Sequence, residues 1–144
     1  HYFQPILHQS IRINFPFDPG YITRDILYVQ GLLNKTDTLH LFVNHWPSRR
    51  RGVEQTAPLR IQAAKVLRRF IDSLSRVYPK PKIIVMGDFN DEPSDRSITL
   101  LNDLTPGELY NPFNSPPLSP SLLRREGEAL LRREGELRRE GARG

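Results

Sequence analysis

The strongest constraint on the fold is an apolar run that ends in glycine and polar residues, Ile83-Ile84-Val85-Met86-Gly87-Asp88-Phe89-Asn90. Such a run predicts a buried strand. Asp88 and Asn90 lie two residues apart at its end, and in an extended segment they would point to the same side. A carboxylate that accepts a proton and an amide that both donates and accepts suit the positioning of an attacking water. An ordinary turn is the competing interpretation, because Gly, Asp and Asn are common turn residues.

The segments upstream predict further strands. Alternating apolar residues over 11–17 indicate a short edge strand, since Pro16 cannot donate to a ladder. Residues 26–33 are nearly all apolar and predict a buried strand, and residues 34–37 form a polar hairpin loop. Residues 38–44 predict the return strand, in which Leu39, Leu41 and Val43 face one way and His40, Phe42 and Asn44 the other.

A long amphipathic helix is predicted from about residue 57 to residue 77, with Thr56 as N-cap and Pro58 in the first turn. Its apolar face recurs at helical spacing and its other faces are polar. The apolar positions are Leu59, Ala63, Val66, Leu67, Phe70, Ile71 and Leu74, and the polar ones include Arg60, Lys65, Arg68, Arg69 and Asp72. A second, short helix is predicted to begin at residues 93–95 and to end near Asp103. The order hairpin, helix, strand predicts a crossover and a mixed sheet, and thus an α/β or α+β fold.

Composition divides the chain into three parts. Residues 1–104 have the pattern of a globular domain, residues 105–120 are a Pro- and Ser-rich loop, and residues 121–144 repeat Leu-Arg-Arg-Glu-Gly at irregular steps. Glycine closes each repeat, so we expect a disordered or frayed-helical tail. The alternatives are an arginine-rich nucleic-acid arm and translated repetitive DNA that follows a frameshift or truncation.

Charge and cysteine content bound the function only loosely. The net charge is +5, which tolerates phosphate-bearing partners without demonstrating nucleic-acid binding. There are no cysteines, so disulfides and thiolate metal sites are excluded. No apolar run approaches the length of a membrane span. These features indicate neither a compartment nor a protein partner.

A second group of polar residues follows the predicted return strand, Asn44-His45-Trp46-Pro47-Ser48-Arg49. His45 comes just after a strand end, as Asp88 does, and an imidazole there can donate to a phosphate oxygen or protonate a leaving oxygen. Asn44 is either a hydrogen-bonding support or a simple strand terminus, and Trp46 is a packing residue. Arg49 can offer a fork to phosphate, although runs of charge are usually solvated loops.

These motifs, with Arg24-Asp25 opening a strand, resemble the endonuclease/exonuclease/phosphatase superfamily of deoxyribonuclease-like metal-dependent phosphoesterases. The resemblance covers residues 1–103. It implies a partial two-sheet β-sandwich of mixed sheets flanked by helices, and hydrolysis of phosphodiester or phosphomonoester bonds by in-line water attack. Mg²⁺ or Mn²⁺ is the implied cofactor and a phosphate ester the implied substrate, with nucleic acid among the candidates.

Site roles follow from the same resemblance. The catalytic positions are His45, Asp88 and Asn90, and Asp88 is also the one metal ligand that the chain offers. The phosphate-binding positions are Arg24, Arg49 and Asn44. The family's metal-binding glutamate in an early strand and its late Asp-His pair have no counterpart here. We therefore expect a fragment of a phosphoesterase that does not hydrolyse substrate by itself. The alternatives are a truncated remnant with residual phosphate or nucleic-acid binding, and a regulatory module that binds through residues 49–51 and the tail.

Overall fold

The computed structural model describes residues 2–102, 109 and 111, with the backbone alone at Asn102. The chain divides into two units, His1–Tyr110 and Asn111–Gly144, and the fold described below belongs to the first. The predicted repeat tail lies outside the described residues. In chain order the elements are β1 (Phe3–Ile11), β2 (Ile26–Leu33), β3 (Asp37–His45), α1 (Val53–Val77), β4 (Lys82–Asp88) and α2 (Arg96–Asn102).

The described strands form one mixed sheet in the order β1-β2-β3-β4. The pairs β1/β2 and β2/β3 are antiparallel, and β3/β4 is parallel. A parallel pair needs a crossover, and α1 supplies it. The predicted mixed sheet and the α+β class are confirmed. The second sheet of the predicted sandwich is not among the described elements and stays a prediction.

The helix-side face of the sheet carries the core. The rings of Tyr28 and Phe42 pack against Phe70 of α1, the first tilted and the second edge-on, with centroids 5.1 and 5.7 Å away. The predicted apolar face of α1 is confirmed, since Leu59, Ala63, Leu67 and Ile71 are buried in the same cluster. Neither helix of the described part has the length and hydropathy needed to cross a membrane.

Two predicted boundaries are wrong. The edge strand is β1 and not residues 11–17. Ile13 and Phe15 lie in an irregular segment after β1, and their side chains are buried. The sequence pattern does not predict β1, because its residues do not alternate in polarity. The strand is also irregular, since its pairing with β2 shifts register between Pro5 and Leu7. Helix α1 begins at Val53 after Gly52, whereas Thr56 was the predicted cap.

Two arginines assigned to the polar surface of α1 are in fact buried. Arg60 is 0% exposed and Arg68 is 3% exposed. Arg68 donates from Nη1 to the carbonyl of Leu101 at 3.2 Å, and this hydrogen bond ties α1 to α2. Arg68 also pairs at 2.6 Å with Asp72, on the same helix. Arg60 points instead toward the loops that follow β3 and β4.

Candidate functional site

The candidate site lies where β3 and β4 end side by side. In the parallel ladder His45 is the partner of Asp88, and Val43 is the partner of Met86 two residues earlier. Because alternate residues share a face, His45 and Asp88 extend the same face as Val43 and Met86. Both side chains of the pair are exposed. The sheet register therefore brings together an imidazole and a carboxylate that are 43 positions apart in the numbering.

A close approach of backbones fixes this end of β4. Gly87 has φ +128°, and a Cβ atom there would stand 2.0 Å from the carbonyl oxygen of Asn44. Only glycine fits such a position without displacing β3. The backbone amide of Trp46 donates to the carbonyl of Asp88 at 2.9 Å, which extends the backbone pairing of β3 with β4 by one residue beyond His45.

Asn90 is held by a turn rather than by an extended strand, so the prediction that it points to the same side as Asp88 through strand alternation is wrong. Its φ is +53°, a left-handed conformation that asparagine tolerates better than most residues. The backbone amide of Asn90 donates to Asp88 Oδ1 at 3.0 Å, and its side-chain Nδ2 donates to the carbonyl of Trp46 at 2.9 Å. The turn places Asn90 beside Asp88 and connects it to the β3 side of the site.

Asn44 and Trp46 support the site from inside. Asn44 is buried, donates from Nδ2 to the carbonyls of Phe42 and Met86 at 3.2 Å, and accepts from Trp46 Nε1 at 3.0 Å. Its amide group thus joins β3 to β4, which agrees with the supporting role that the sequence left open. Trp46 is buried and packs edge-on against Phe89 at 4.9 Å, as a packing residue does.

Arg49 is engaged within the protein. Its Nε donates to the carbonyl of Asn90 at 2.7 Å, and Nη2 contacts Asp91 at 3.0 Å and also Asp95. The hydrogen bond with Asp91 raises the pKa of the guanidinium. This arginine holds the loop after β4, and its Nε and Nη2 atoms are both engaged by protein groups.

Asp91 follows Asn90 in the loop after β4, yet its side chain is only 5% exposed. Arg60 Nε stands 2.7 Å from its Oδ1, and Ser97 donates to its Oδ2 at 2.5 Å. Burial by itself would raise the pKa of Asp91, but the hydrogen bonds from Arg60, Ser97 and Arg49 lower it overall. The sequence gives no signal that Arg60 is buried beside Asp91, because an arginine at this helix position is assigned to the polar surface.

Arg24 lies in the exposed segment just before β2. Since β2 runs antiparallel to β3, the start of β2 and the end of β3 lie at the same end of the sheet. Arg24 is therefore at the same end as His45 and Asp88, while the contacts of the described residues do not join it to either.

Solved structures of similar fold include truncated TDP2 from Caenorhabditis elegans, with TM-score 0.52 and 16% identity, which covers 65% of this chain and 34% of the TDP2 chain. The human Nocturnin catalytic domain gives a TM-score of 0.54 at 18% identity and covers 67% and 34% of the two chains. The chain thus spans about a third of these structures. No curated protein gives a significant match. A family model described as "Endonuclease/Exonuclease/phosphatase family" matches residues 1–112, and the chain belongs to that family.

Proposed function

We propose that the end of the sheet formed by His45, Asp88 and Asn90 binds a phosphate ester, and that it is one part of a hydrolytic site of nuclease or phosphodiesterase type. The observation that carries the proposal is the ladder partnership of His45 with Asp88. It sets a potential proton donor beside a potential proton acceptor on one exposed edge, and Asn90 is fixed next to them. The similar Nocturnin domain has a bound sulfate, an anion with the tetrahedral shape of phosphate.

In the proposed reaction, a water oxygen attacks phosphorus in line with the leaving oxygen. Asp88 accepts a proton from that water, and the amide of Asn90 orients it by hydrogen bonding. The imidazole of His45 donates to a phosphate oxygen and stabilises the charge that develops there. The new phosphorus–oxygen bond forms as the bond to the leaving oxygen breaks, and the leaving alkoxide takes a proton from solvent. Arg24 contributes positive charge at the same end of the sheet.

The divalent cation that the family resemblance implies is not accommodated by the described residues alone. Mg²⁺ needs several oxygen ligands in near-octahedral arrangement. In the described part of the chain no three His, Asp or Glu side chains are grouped to hold a metal. Asp91 and Asp95 are paired with arginines, so Asp88 is the one carboxylate of the three without an arginine partner. We assign no step of the reaction to a metal.

Phosphate binding is tested by titrating isotopically labelled residues 1–144 with inorganic phosphate and following the His45 ring and the Asn90 side-chain amide by NMR. We expect both sets of signals to shift together and His45→Gln to weaken binding about tenfold, the value of one hydrogen bond to a charged group. His8→Gln is the matched control, because His8 lies on β1 and outside the proposed site. Equal effects of the two variants, or shifts confined to other residues, would overturn the proposal.

A second candidate function is phosphate or nucleic-acid binding without hydrolysis. The pairing of Asp91 and Asp95 with arginines, and the lack of any grouped set of three metal-ligating side chains among the described residues, favour it for the polypeptide of residues 1–144. Cleavage of plasmid DNA and of bis(p-nitrophenyl) phosphate in Mg²⁺ separates the two candidates. We expect no turnover above background. Turnover that Asp88→Ala abolishes would show that residues 1–144 suffice for catalysis.

A further inference from the structure

We infer that Arg49 and the buried pair Arg60–Asp91 are positioning residues, which set the orientation of Asn90 and through it the carboxylate of Asp88. This inference rests on the proposed function of that site and assigns Arg49 a different role from phosphate contact. The group formed by Arg49, Arg60, Asp91, Asp95 and Ser97 is called the arginine clamp below.

The clamp holds the chain on both sides of one peptide bond. Arg49, from the loop after β3, donates to the carbonyl of Asn90 at 2.7 Å. Arg60, from α1, lies 2.7 Å from the carboxylate of the next residue, Asp91. Two cations from different elements thus fix successive residues of the loop after β4. The left-handed φ of Asn90 is a conformation that persists where surrounding contacts over-determine it, and the clamp supplies such contacts.

Arg60 is itself fixed from several directions. Nη1 donates to Thr56 Oγ1 at 2.7 Å and to the carbonyl of Pro47 at 3.5 Å, and Nη2 donates to the carbonyl of Val53 at 3.1 Å. Its guanidinium therefore joins the loop after β3, the first turns of α1 and the loop after β4. A side chain with so many fixed partners has little freedom to move. The same is true of Asp91, which also accepts a hydrogen bond from Ser97.

The far side of the loop is closed by Asp95. Its carboxylate accepts from the amide of Glu92 at 2.7 Å and contacts Arg49 Nη2. The clamp therefore pairs two arginines with two aspartates, and the charges balance within it. A phosphate that took the place of Asp91 and Asp95 at Arg49 Nη2 would have to displace both carboxylates.

Stability alone is a weak reason for such a pair. A buried ion pair often contributes no more to folding than an apolar pair of the same volume, because both charges lose their hydration. What the ion pair adds is a single defined geometry. Here that geometry extends by hydrogen bonds from Arg49 to Asn90, and from Asn90 to Asp88 and to the carbonyl of Trp46. The clamp thus acts on the site through Asn90 and not by touching substrate.

The test compares Arg49→Ala and Arg49→Lys with Arg69→Ala in labelled residues 1–144. Arg69→Ala removes the same charge from the exposed side of α1. We expect both Arg49 variants to shift the Asn90 backbone and side-chain signals, to speed exchange of its side-chain amide and to weaken phosphate binding about tenfold. Arg69→Ala should do none of these.

A double variant, Arg60→Met/Asp91→Leu, keeps the test informative if single changes in the buried pair prevent folding. Apolar residues of similar volume preserve packing while removing the buried ion pair of the clamp, so the Asn90 signals should shift, as they do in Arg49→Ala. Asn90 signals unchanged in these variants would overturn the inference. Phosphate affinity restored by Arg49→Lys would do so too, because it would show a role through charge alone. If the unaltered chain binds no phosphate, the proposed function fails, yet the Asn90 signals still decide the inference.

Discussion

The two faces of the sheet divide polar and apolar residues in opposite ways. On the face covered by α1, the buried positions of β3 are His40, Phe42 and Asn44. On the opposite face, which we call the open face, two rows cross three strands, Leu27–Val43–Met86 and Val29–Leu41–Ile84. Four of these six side chains are exposed, by 40–44%. Within β3, the more hydrophobic set of side chains thus lies on the less covered face.

This contrast shows that hydrophobicity alone does not tell which face of a strand is covered. The polar side chains under α1 are tolerated because each has a partner. The hydroxyl of Tyr28 and Nδ1 of His40 lie 2.8 Å apart, and Asn44 is bonded on both sides. Apolar rows on an exposed sheet are usually found where another element or molecule packs.

Phe42→Ala should produce the largest loss. Phe42 is 0% exposed and contacts both Tyr28 and Phe70, at ring distances of 5.1 and 5.7 Å. Deleting a buried phenyl ring costs about 3–5 kcal/mol of the free energy of unfolding, since it removes transfer energy and leaves a cavity. Urea denaturation followed by circular dichroism measures it. A loss below about 1 kcal/mol would mean that the covered face is not the core.

Tyr28→Phe probes the polar pair on the same face. The change keeps the ring contacts and removes the partner of His40 Nδ1. A buried polar atom left without a partner costs about 1–3 kcal/mol, so this loss should be smaller than that of Phe42→Ala. Tyr78→Phe is the control, because the Tyr78 hydroxyl is joined only weakly to Gln30, at 3.4 Å. Equal losses in the two variants would argue that the Tyr28 hydroxyl has no special role.

The same pair predicts a pH dependence. Burial lowers the pKa of His40 below its usual value of about 6.5. The unfolded chain therefore binds a proton first as the pH falls, and His40 reduces stability progressively from about pH 6.5 down through its lowered native pKa. The slope from one proton is at most about 1.4 kcal/mol per pH unit. Urea midpoints between pH 7.5 and 5 measure it, and His40→Gln should flatten the curve. An equally steep curve in that variant would assign the dependence to other groups.

The sequence predicts elements best where periodicity and local signals agree. The hairpin of β2 and β3, the apolar face of α1 and the presence of a strand before Gly87 are confirmed, because each has several consistent signals. The predicted burial of that strand is wrong, since Ile84 and Met86 of β4 are 44% and 42% exposed. β1 was missed and residues 11–17 were wrongly assigned, since an edge strand need not alternate and an irregular segment can bury Ile13 and Phe15. The first turn of α1 was missed because Gly52, not a side-chain cap, precedes it.

For the candidate site, sequence motifs identify the residues but not their connections. That His45 stands beside Asp88 depends on a parallel register between strands separated by a 25-residue helix, which no local pattern fixes. The turn at Asn90 and the burial of Asp91 depend on Arg60, whose partner is set by tertiary packing. Long-range ion pairs of this kind leave no period in the sequence, and for that reason the sequence predicts a phosphate contact at Arg49 and not its partners Asp91 and Asp95.

The smallest effect is expected on the open face, and it tests the comparison most sharply. Met86→Ala removes a side chain that is 42% exposed, whereas Leu67→Ala removes one of similar size that is 0% exposed. Leu67→Ala should cost about 2–5 kcal/mol, and Met86→Ala should cost less than about 1 kcal/mol, because much of its surface stays in water in the native state. A cost for Met86→Ala near that of Leu67→Ala would show that the open face is covered in solution. Because Met86 precedes Asp88 on that face, such cover would also limit how a substrate reaches His45 and Asp88.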